Sequence, residues 1–179
     1  GFKDSFGFDD NPVISMLPSK NIGIQSFTAN IIDHYSQICE LARSLNDSTC
    51  TNEENQTIKA LFAKLTRFQI LACVREGETG VNGLNAQFES MLAYKGYRNV
   101  SDRHFAGRPI LITENAYHLG LFNGDIGIQA IDPETEKLVS YFIDAKGNIK
   151  KMFNQRLPQH ESVFAMTVHK SQGSEFEHV

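Results

Sequence analysis

The sequence predicts an α/β fold in which a small all-β module interrupts the chain between two strands of one sheet. Apolar residues recur at helical spacing through much of residues 28–100. A continuous apolar run, FQILACV, follows two helical segments and precedes a third. Four short strands then follow one another closely between residues 107 and 157. Because strand, turn and helix alternate before these four strands and a buried strand follows them, we expect an insertion in an α/β domain.

Two amphipathic helices are predicted before the first strand. In the first, Thr28 to Leu45, apolar residues such as Ile31 and Tyr35 repeat at helical spacing, with Thr28 as the candidate N-cap. The second spans Asn55 to Phe68. Residues 1–27 show no clear hydrophobic periodicity and are predicted to form an irregular arm.

The apolar run Phe68–Val74 is predicted to be a strand that is covered on both faces. A helix should follow it, with Asn82 as its cap. Arg75 comes directly after the strand, where it could reach a phosphate. An ion pair with Glu76 or Glu78 is the expected alternative.

The four short strands lie in RPILITEN, GDIGIQAID, KLVSYFID and IKKMF, with turn residues between them. Their spacing is typical of a small antiparallel barrel. A hairpin turn at Asn123–Gly124 is favoured over a phosphate-binding loop. We therefore divide the chain into an α/β part at 28–106, an inserted β-module at 107–158 and a return to the α/β part at 159–179.

Composition indicates a globular protein without a bulk positive charge. The 179 residues are 41% hydrophobic and 21% charged, with a net charge of −4. This charge argues against nucleic-acid binding through bulk electrostatics, so any contact with DNA should depend on a local site. The three cysteines have no metal-binding spacing, and we expect no metal ligands and a reducing, cytoplasmic location.

The last buried strand, Val163–Met166, is followed at once by hydrogen-bonding side chains. Residues that follow a strand of an open α/β sheet emerge at its carboxyl edge, where ligands bind. Thr167, His169 and Lys170 could there contact phosphate oxygens, whereas Glu175 suits a sugar hydroxyl because it only accepts hydrogen bonds. From the residues alone, a solvated turn is an equal alternative.

The segment AMTVHKSQGSEF, residues 165–176, resembles motif V of superfamily 1 helicases in the form carried by the RecD family. Four further segments resemble the second motor domain of that family in the same order: LACVREGETGVNGLN, GRPILITEN, LGLFNGDIGI and RLPQHE. The resemblance covers the chain from Phe68 onward. It implies that the α/β part belongs to a second RecA-like domain and that the β-module is a small barrel like Src homology 3 domains.

This resemblance also implies an activity, which is ATP-dependent 5′-to-3′ translocation on DNA in end processing and double-strand-break repair. The implied cofactors are ATP and Mg²⁺, and the implied partners are single-stranded DNA and subunits of the RecB and RecC type. By position, Gly173 and Glu175 would approach the nucleotide. The positions carried over as DNA contacts are Thr167, His169, Lys170, Gln172 and Asn123.

The sequence contains no Walker A pattern, GxxxxGK[ST], and no Mg²⁺-binding acidic pair after an apolar strand. We therefore expect the chain to be part of a longer helicase subunit and to hydrolyse no ATP by itself. Two alternatives stay open. One is a non-catalytic binding module for nucleic acid or protein, and the other is a different superfamily 1 helicase, such as a stand-alone RecD-like protein.

Overall fold

The computed structural model describes residues 24–48, 50–171 and 176, and it forms a mixed α/β structure, as the sequence predicts. None of the described helices is long and apolar enough to cross a membrane. The helices are α1 (Ile24–Ser44), α2 (Thr51–Arg67) and α3 (Val81–Tyr94), and the strands are β1 (Ile70–Ala72), β2 (Pro109–Ile112), β3 (Ile126–Ile131), β4 (Leu138–Ile143), β5 (Ile149–Phe153), β6 (His160–Ser162) and β7 (Ala165–Thr167).

Helix α1 has one buried face because its apolar residues recur every three or four positions. Ile31, Tyr35 and Ile38 on this face are fully buried. The predicted N-cap at Thr28 is wrong, since the helix begins at Ile24 and Thr28 lies inside it. The predicted irregular arm therefore overlaps α1 at its end, and the rest of the arm lies outside the described residues.

Strand β1 pairs in parallel with β7, and Ile70 lies opposite Ala165. Parallel neighbours need a crossover connection, which here consists of α3 and all the strands of the second sheet. The core beneath this pair joins distant parts of the chain. Tyr35 of α1 packs its ring edge to face on Phe164 at 4.8 Å and donates a hydrogen bond to the Phe164 carbonyl oxygen at 3.1 Å.

The second sheet is antiparallel, with the strand order β5-β4-β3-β2-β6. It contains the four predicted strands, and β6 adds an edge strand in which Ser162 lies opposite Ile110. Of the buried strand predicted at Val163–Met166, only Ala165 and Met166 belong to a strand, β7. Val163 and Phe164 carry the chain from β6 of one sheet to β7 of the other.

A glycine allows the antiparallel sheet to approach α1 closely. Gly107 has a φ of +92°, and a Cβ atom there would lie 2.5 Å from both Cα and Sγ of Cys39. The Gly107 N–H donates to the Gln129 carbonyl oxygen at 2.7 Å. Both the positive φ and the contact with α1 require the absence of a side chain.

A buried carboxylate organises the other end of this sheet. Asp132 is fully buried and accepts a hydrogen bond from Lys151 Nζ at 2.7 Å and another from Thr135 Oγ1. Burial raises the pKa of Asp132, but the hydrogen bonds from Lys151 and Thr135 outweigh it and hold that pKa below its ordinary value. Tyr141 nearby donates to Glu54 Oε1 at 3.1 Å, which ties β4 to α2.

Candidate nucleic-acid interface

The polar residues that follow β7 form a tight turn at the carboxyl edge of the parallel pair. The N–H groups of Lys170 and Ser171 both donate to the Thr167 carbonyl oxygen, at 2.9 and 3.2 Å. Thr167 Oγ1 also accepts from the Lys170 N–H at 3.3 Å. His169 is exposed at this turn, so its imidazole is free to meet a ligand from solvent.

Lys170 reaches across to the antiparallel sheet. Its Nζ donates to Oδ1 of Asn123 at 3.4 Å, so two of the predicted DNA-contacting residues come together although they lie far apart in the sequence. Within the described part of the chain, no carboxylate forms an ion pair with Lys170. An ammonium group without a carboxylate partner is suited to a phosphate oxygen.

Asn123 belongs to the loop of residues 113–125 between β2 and β3, and it lies in a tight turn, Phe122–Asp125, at the end of this loop. The turn predicted at Asn123–Gly124 is present, but it does not by itself join two strands as a hairpin turn would. The Asp125 N–H donates to the Phe122 carbonyl oxygen at 3.0 Å, and Gly124 adopts a φ of +104°. The Asn123 N–H donates to Oδ1 of Asn115 at 2.8 Å. These bonds fix the backbone on both sides of the Asn123 carboxamide.

The same loop presents two aromatic rings to solvent, which the sequence analysis did not identify. Tyr117 is 75% exposed and Phe122 is 47% exposed. Their ring centroids lie 5.8 Å apart at an interplanar angle of 73°. The signal in the sequence is that both aromatics fall among turn residues, in YHLGLFNG, outside the alternation of a strand.

Arg75 does not form the predicted ion pair with Glu76 or Glu78. It donates from both terminal nitrogens to the carboxylate of Glu161, from the edge strand β6. Glu76 instead accepts from Nδ2 of Asn82 at 2.8 Å, and Asn82 lies inside α3, whose N-cap is Gly80, so the predicted cap is also wrong. Because its charge is compensated, Arg75 is a poor phosphate ligand.

Two histidines, His104 and His160, line a cleft of about 830 Å³ beside Arg75. The rings of His104 and His160 lie 5.6 Å apart. His104 Nδ1 lies 2.8 Å from Gln129 Nε2 and 3.4 Å from Arg108 Nη1, so it accepts from donors on both sides. Burial lowers the pKa of His104, and the positive charge of Arg108 lowers it further, which favours the neutral imidazole.

Three of the predicted site residues, Gln172, Gly173 and Glu175, lie outside the described residues. The structure thus brings Lys170 and Asn123 together near Thr167 and His169, and the predicted nucleotide contacts stay predictions. Among the described residues, no group of three or more His, Cys, Asp or Glu side chains could hold a metal ion.

The chain is similar to part of a known DNA helicase. It is 28% identical over 110 residues to the ATP-dependent RecD2 DNA helicase of Deinococcus radiodurans, a match that covers 60% of the chain and 15% of the relative. No model of a protein family matches the chain.

Longer matches are found with RecD itself. The chain is 31% identical over 159 residues to the RecBCD enzyme subunit RecD of Haemophilus influenzae, which covers 87% of the chain and 23% of that relative. It is 35% identical over 134 residues to the same subunit of Buchnera aphidicola, which covers 70% of the chain and 22% of the relative. The chain is a homologue of RecD and spans less than a quarter of the length of these relatives.

Proposed function

We propose that the chain is part of the second RecA-like motor domain of an ATP-dependent DNA helicase subunit of the RecD type. In this proposal the antiparallel sheet is the inserted Src-homology-3-like barrel. Two features support it: the homology to RecD and the position of the antiparallel sheet between β1 and β7 in the sequence. The intact cytoplasmic protein would move 5′ to 3′ along single-stranded DNA during end processing and double-strand-break repair, together with RecB and RecC type subunits.

The observation that carries this proposal is the hydrogen bond of 3.4 Å between Lys170 and Asn123. It brings the turn after a strand of the parallel pair, where open α/β sheets bind ligands, next to a loop of the second sheet. In the proposal, Thr167, His169, Lys170, Gln172 and Asn123 contact the DNA backbone, and Gly173 and Glu175 contact the nucleotide.

ATP and Mg²⁺ would be held largely by other parts of the intact protein, because this chain lacks a Walker A loop. ATP hydrolysis would supply the free energy for translocation. The role proposed for this chain is to couple DNA contact at the Thr167–Lys170 turn to the state of the nucleotide near Glu175. We accordingly expect the purified 179-residue chain to release no phosphate from ATP, with or without DNA.

DNA-stimulated ATP hydrolysis by the intact protein tests this proposal. We expect His169→Ala and Glu175→Ala each to reduce the stimulated rate by at least about tenfold, which corresponds to about 1.4 kcal/mol of transition-state stabilisation. Lys137→Ala is the matched control, because Lys137 is an exposed lysine at the opposite end of the antiparallel sheet.

Wild-type rates in both variants would contradict the proposed coupling and leave Thr167–Glu175 as a solvated turn. An intact protein without any DNA-stimulated hydrolysis would instead favour the non-catalytic binding module. Phosphate release by the 179-residue chain alone would contradict the assignment of the catalytic groups to other segments.

A further inference from the structure

The loop between β2 and β3 exposes two aromatic rings that lie next to each other. Tyr117 and Phe122 keep 75% and 47% of their surface in solvent although their rings touch edge to face. Contiguous exposed apolar surface is typical of sites that bind a partner, whereas single exposed side chains are ordinary. We refer to Tyr117 and Phe122 as the aromatic pair.

The loop holds the aromatic pair in place through several hydrogen bonds. Buried Ala116 and Leu121 bond to each other through both of their backbone groups, at 2.8 and 3.3 Å. Lys150 of β5 donates to the Leu119 carbonyl oxygen and, at 3.2 Å, to that of Gly120. Because the backbone is fixed, the loop loses little conformational entropy when a ligand binds the rings.

Polar groups suited to a phosphate lie directly beside the aromatic pair. Asn123 follows Phe122 in the chain, and Lys170 reaches Asn123 from the turn after β7. Tyr94 provides an internal comparison: it is 95% exposed, but its neighbour Lys95 pairs with Asp33 at 2.6 Å. Among the described residues, exposed aromatic rings and an ammonium group without a carboxylate partner therefore occur together at the loop and not at Tyr94.

We propose that the aromatic pair is a stacking platform for unpaired bases of single-stranded DNA, beside a phosphate contact at Lys170 and Asn123. This inference rests on the proposed function, since it specifies which part of the DNA the site binds. Unpaired bases expose their ring faces, whereas the bases of a duplex are stacked on one another and cannot reach a side chain. Stacking on Tyr117 or Phe122 would be insensitive to base identity, which suits a protein that moves along any sequence.

The test measures binding of the intact protein, without nucleotide, to fluorescent oligothymidylate and to an oligonucleotide of equal length that carries abasic sites throughout. Both ligands have the same phosphates, but only the first has bases. We expect the wild type to prefer oligothymidylate by about tenfold and Tyr117→Ala or Phe122→Ala to lose most of this preference. Tyr117→Phe and Phe122→Tyr should retain it, because they keep an aromatic ring.

Two further variants distinguish base stacking from phosphate binding and from nonspecific effects of a substitution. Lys170→Ala should weaken binding to both oligonucleotides by the same factor and reduce the slope of log affinity against log salt by roughly 0.7. Tyr94→Ala, the matched control, should bind both oligonucleotides as the wild type does.

If Tyr117→Ala and Phe122→Ala prefer oligothymidylate over the abasic oligonucleotide as strongly as the wild type does, the proposal is overturned. If these variants instead fail to assemble with partner subunits, the aromatic pair is a protein contact and the proposal is also overturned. Equal wild-type affinity for the two oligonucleotides would also overturn it while leaving backbone binding and the proposed function intact. A wild-type protein that binds neither oligonucleotide would overturn both proposals.

Discussion

Asn85 and Ala165 are hydrogen-bonded to each other in both directions. The Asn85 Oδ1 accepts from the Ala165 N–H at 2.8 Å, and its Nδ2 donates to the Ala165 carbonyl oxygen at 3.2 Å. Nδ2 also donates to the Ser162 carbonyl oxygen at 2.9 Å. One buried carboxamide on α3 thus satisfies backbone groups at the passage from β6 to β7, just before the candidate interface.

Replacement of this carboxamide should destabilise the protein. In Asn85→Ala the Ala165 N–H stays buried without its partner, which we expect to lower the free energy of unfolding by about 2 kcal/mol. Urea denaturation of the purified protein measures the change. Asn82→Ala is the control on the same helix, since it removes only an exposed bond to Glu76 and should change stability by less than about 0.5 kcal/mol.

The close approach at Gly107 should tolerate no side chain. Gly147 also has a positive φ, +81°, but a Cβ atom there meets only open space. We expect Gly147→Ala to cost about 1–2 kcal/mol through backbone strain alone. Gly107→Ala should cost at least about 2 kcal/mol more, because it also displaces Cys39. Equal thermal stability of the two variants would refute the importance of that contact.

The buried carboxylate of Asp132 should contribute more to stability than the exposed carboxylate of Glu134, which lies near the same lysine. Asp132→Asn places an amide against Lys151 Nζ, and we expect a loss of about 1–3 kcal/mol in the free energy of unfolding. Glu134 lies 3.5 Å from the same ammonium but its side chain is 82% exposed, so Glu134→Gln should have no measurable effect. The paired variants are compared by urea denaturation at pH 7.5.

Stability should fall in mild acid because of the half-buried histidines His104 and His160. Burial lowers the pKa of His104 and of His160 below 6.5, so the unfolded chain binds more protons than the folded protein as the pH drops past that value. The free energy of unfolding is then highest above pH 6.5 and declines toward the lowered folded pKa values. A pH series should show a smaller decline in His104→Gln than in the wild type. An identical pH dependence of the two proteins would contradict this account.

The strands of the antiparallel sheet could be predicted because their signals are local. Alternating apolar residues and turns such as Asn123–Gly124 lie within a few positions of one another. The partner of Arg75 could not be predicted in this way, since Glu161 lies 86 residues away and the nearby Glu76 and Glu78 were the plausible choices. The start of α1 was misplaced because Thr28 has a favourable type for an N-cap, but the helix continues before it.

The candidate site was likewise predictable only where its signal in the sequence is local. The polar run after Met166 identified the turn at Thr167–Lys170, but its proximity to Asn123 depends on how β6 and β7 join two sheets. No hydrophobic periodicity in the sequence identifies the aromatic pair. Exposure is set by the tertiary structure, and a ring in a loop can equally lie in the core.

The pairing of β1 with β7 also bears on the order in which the protein folds. These two strands cannot meet until α3 and the entire antiparallel sheet have been synthesised, and closing so long a loop has a high entropic cost. The antiparallel sheet brings its own ends together, because Ile110 near its start pairs with Ser162 at its end. If this sheet forms first, it shortens the loop that β1 and β7 must close, and the inserted strands become the step that allows the surrounding domain to assemble.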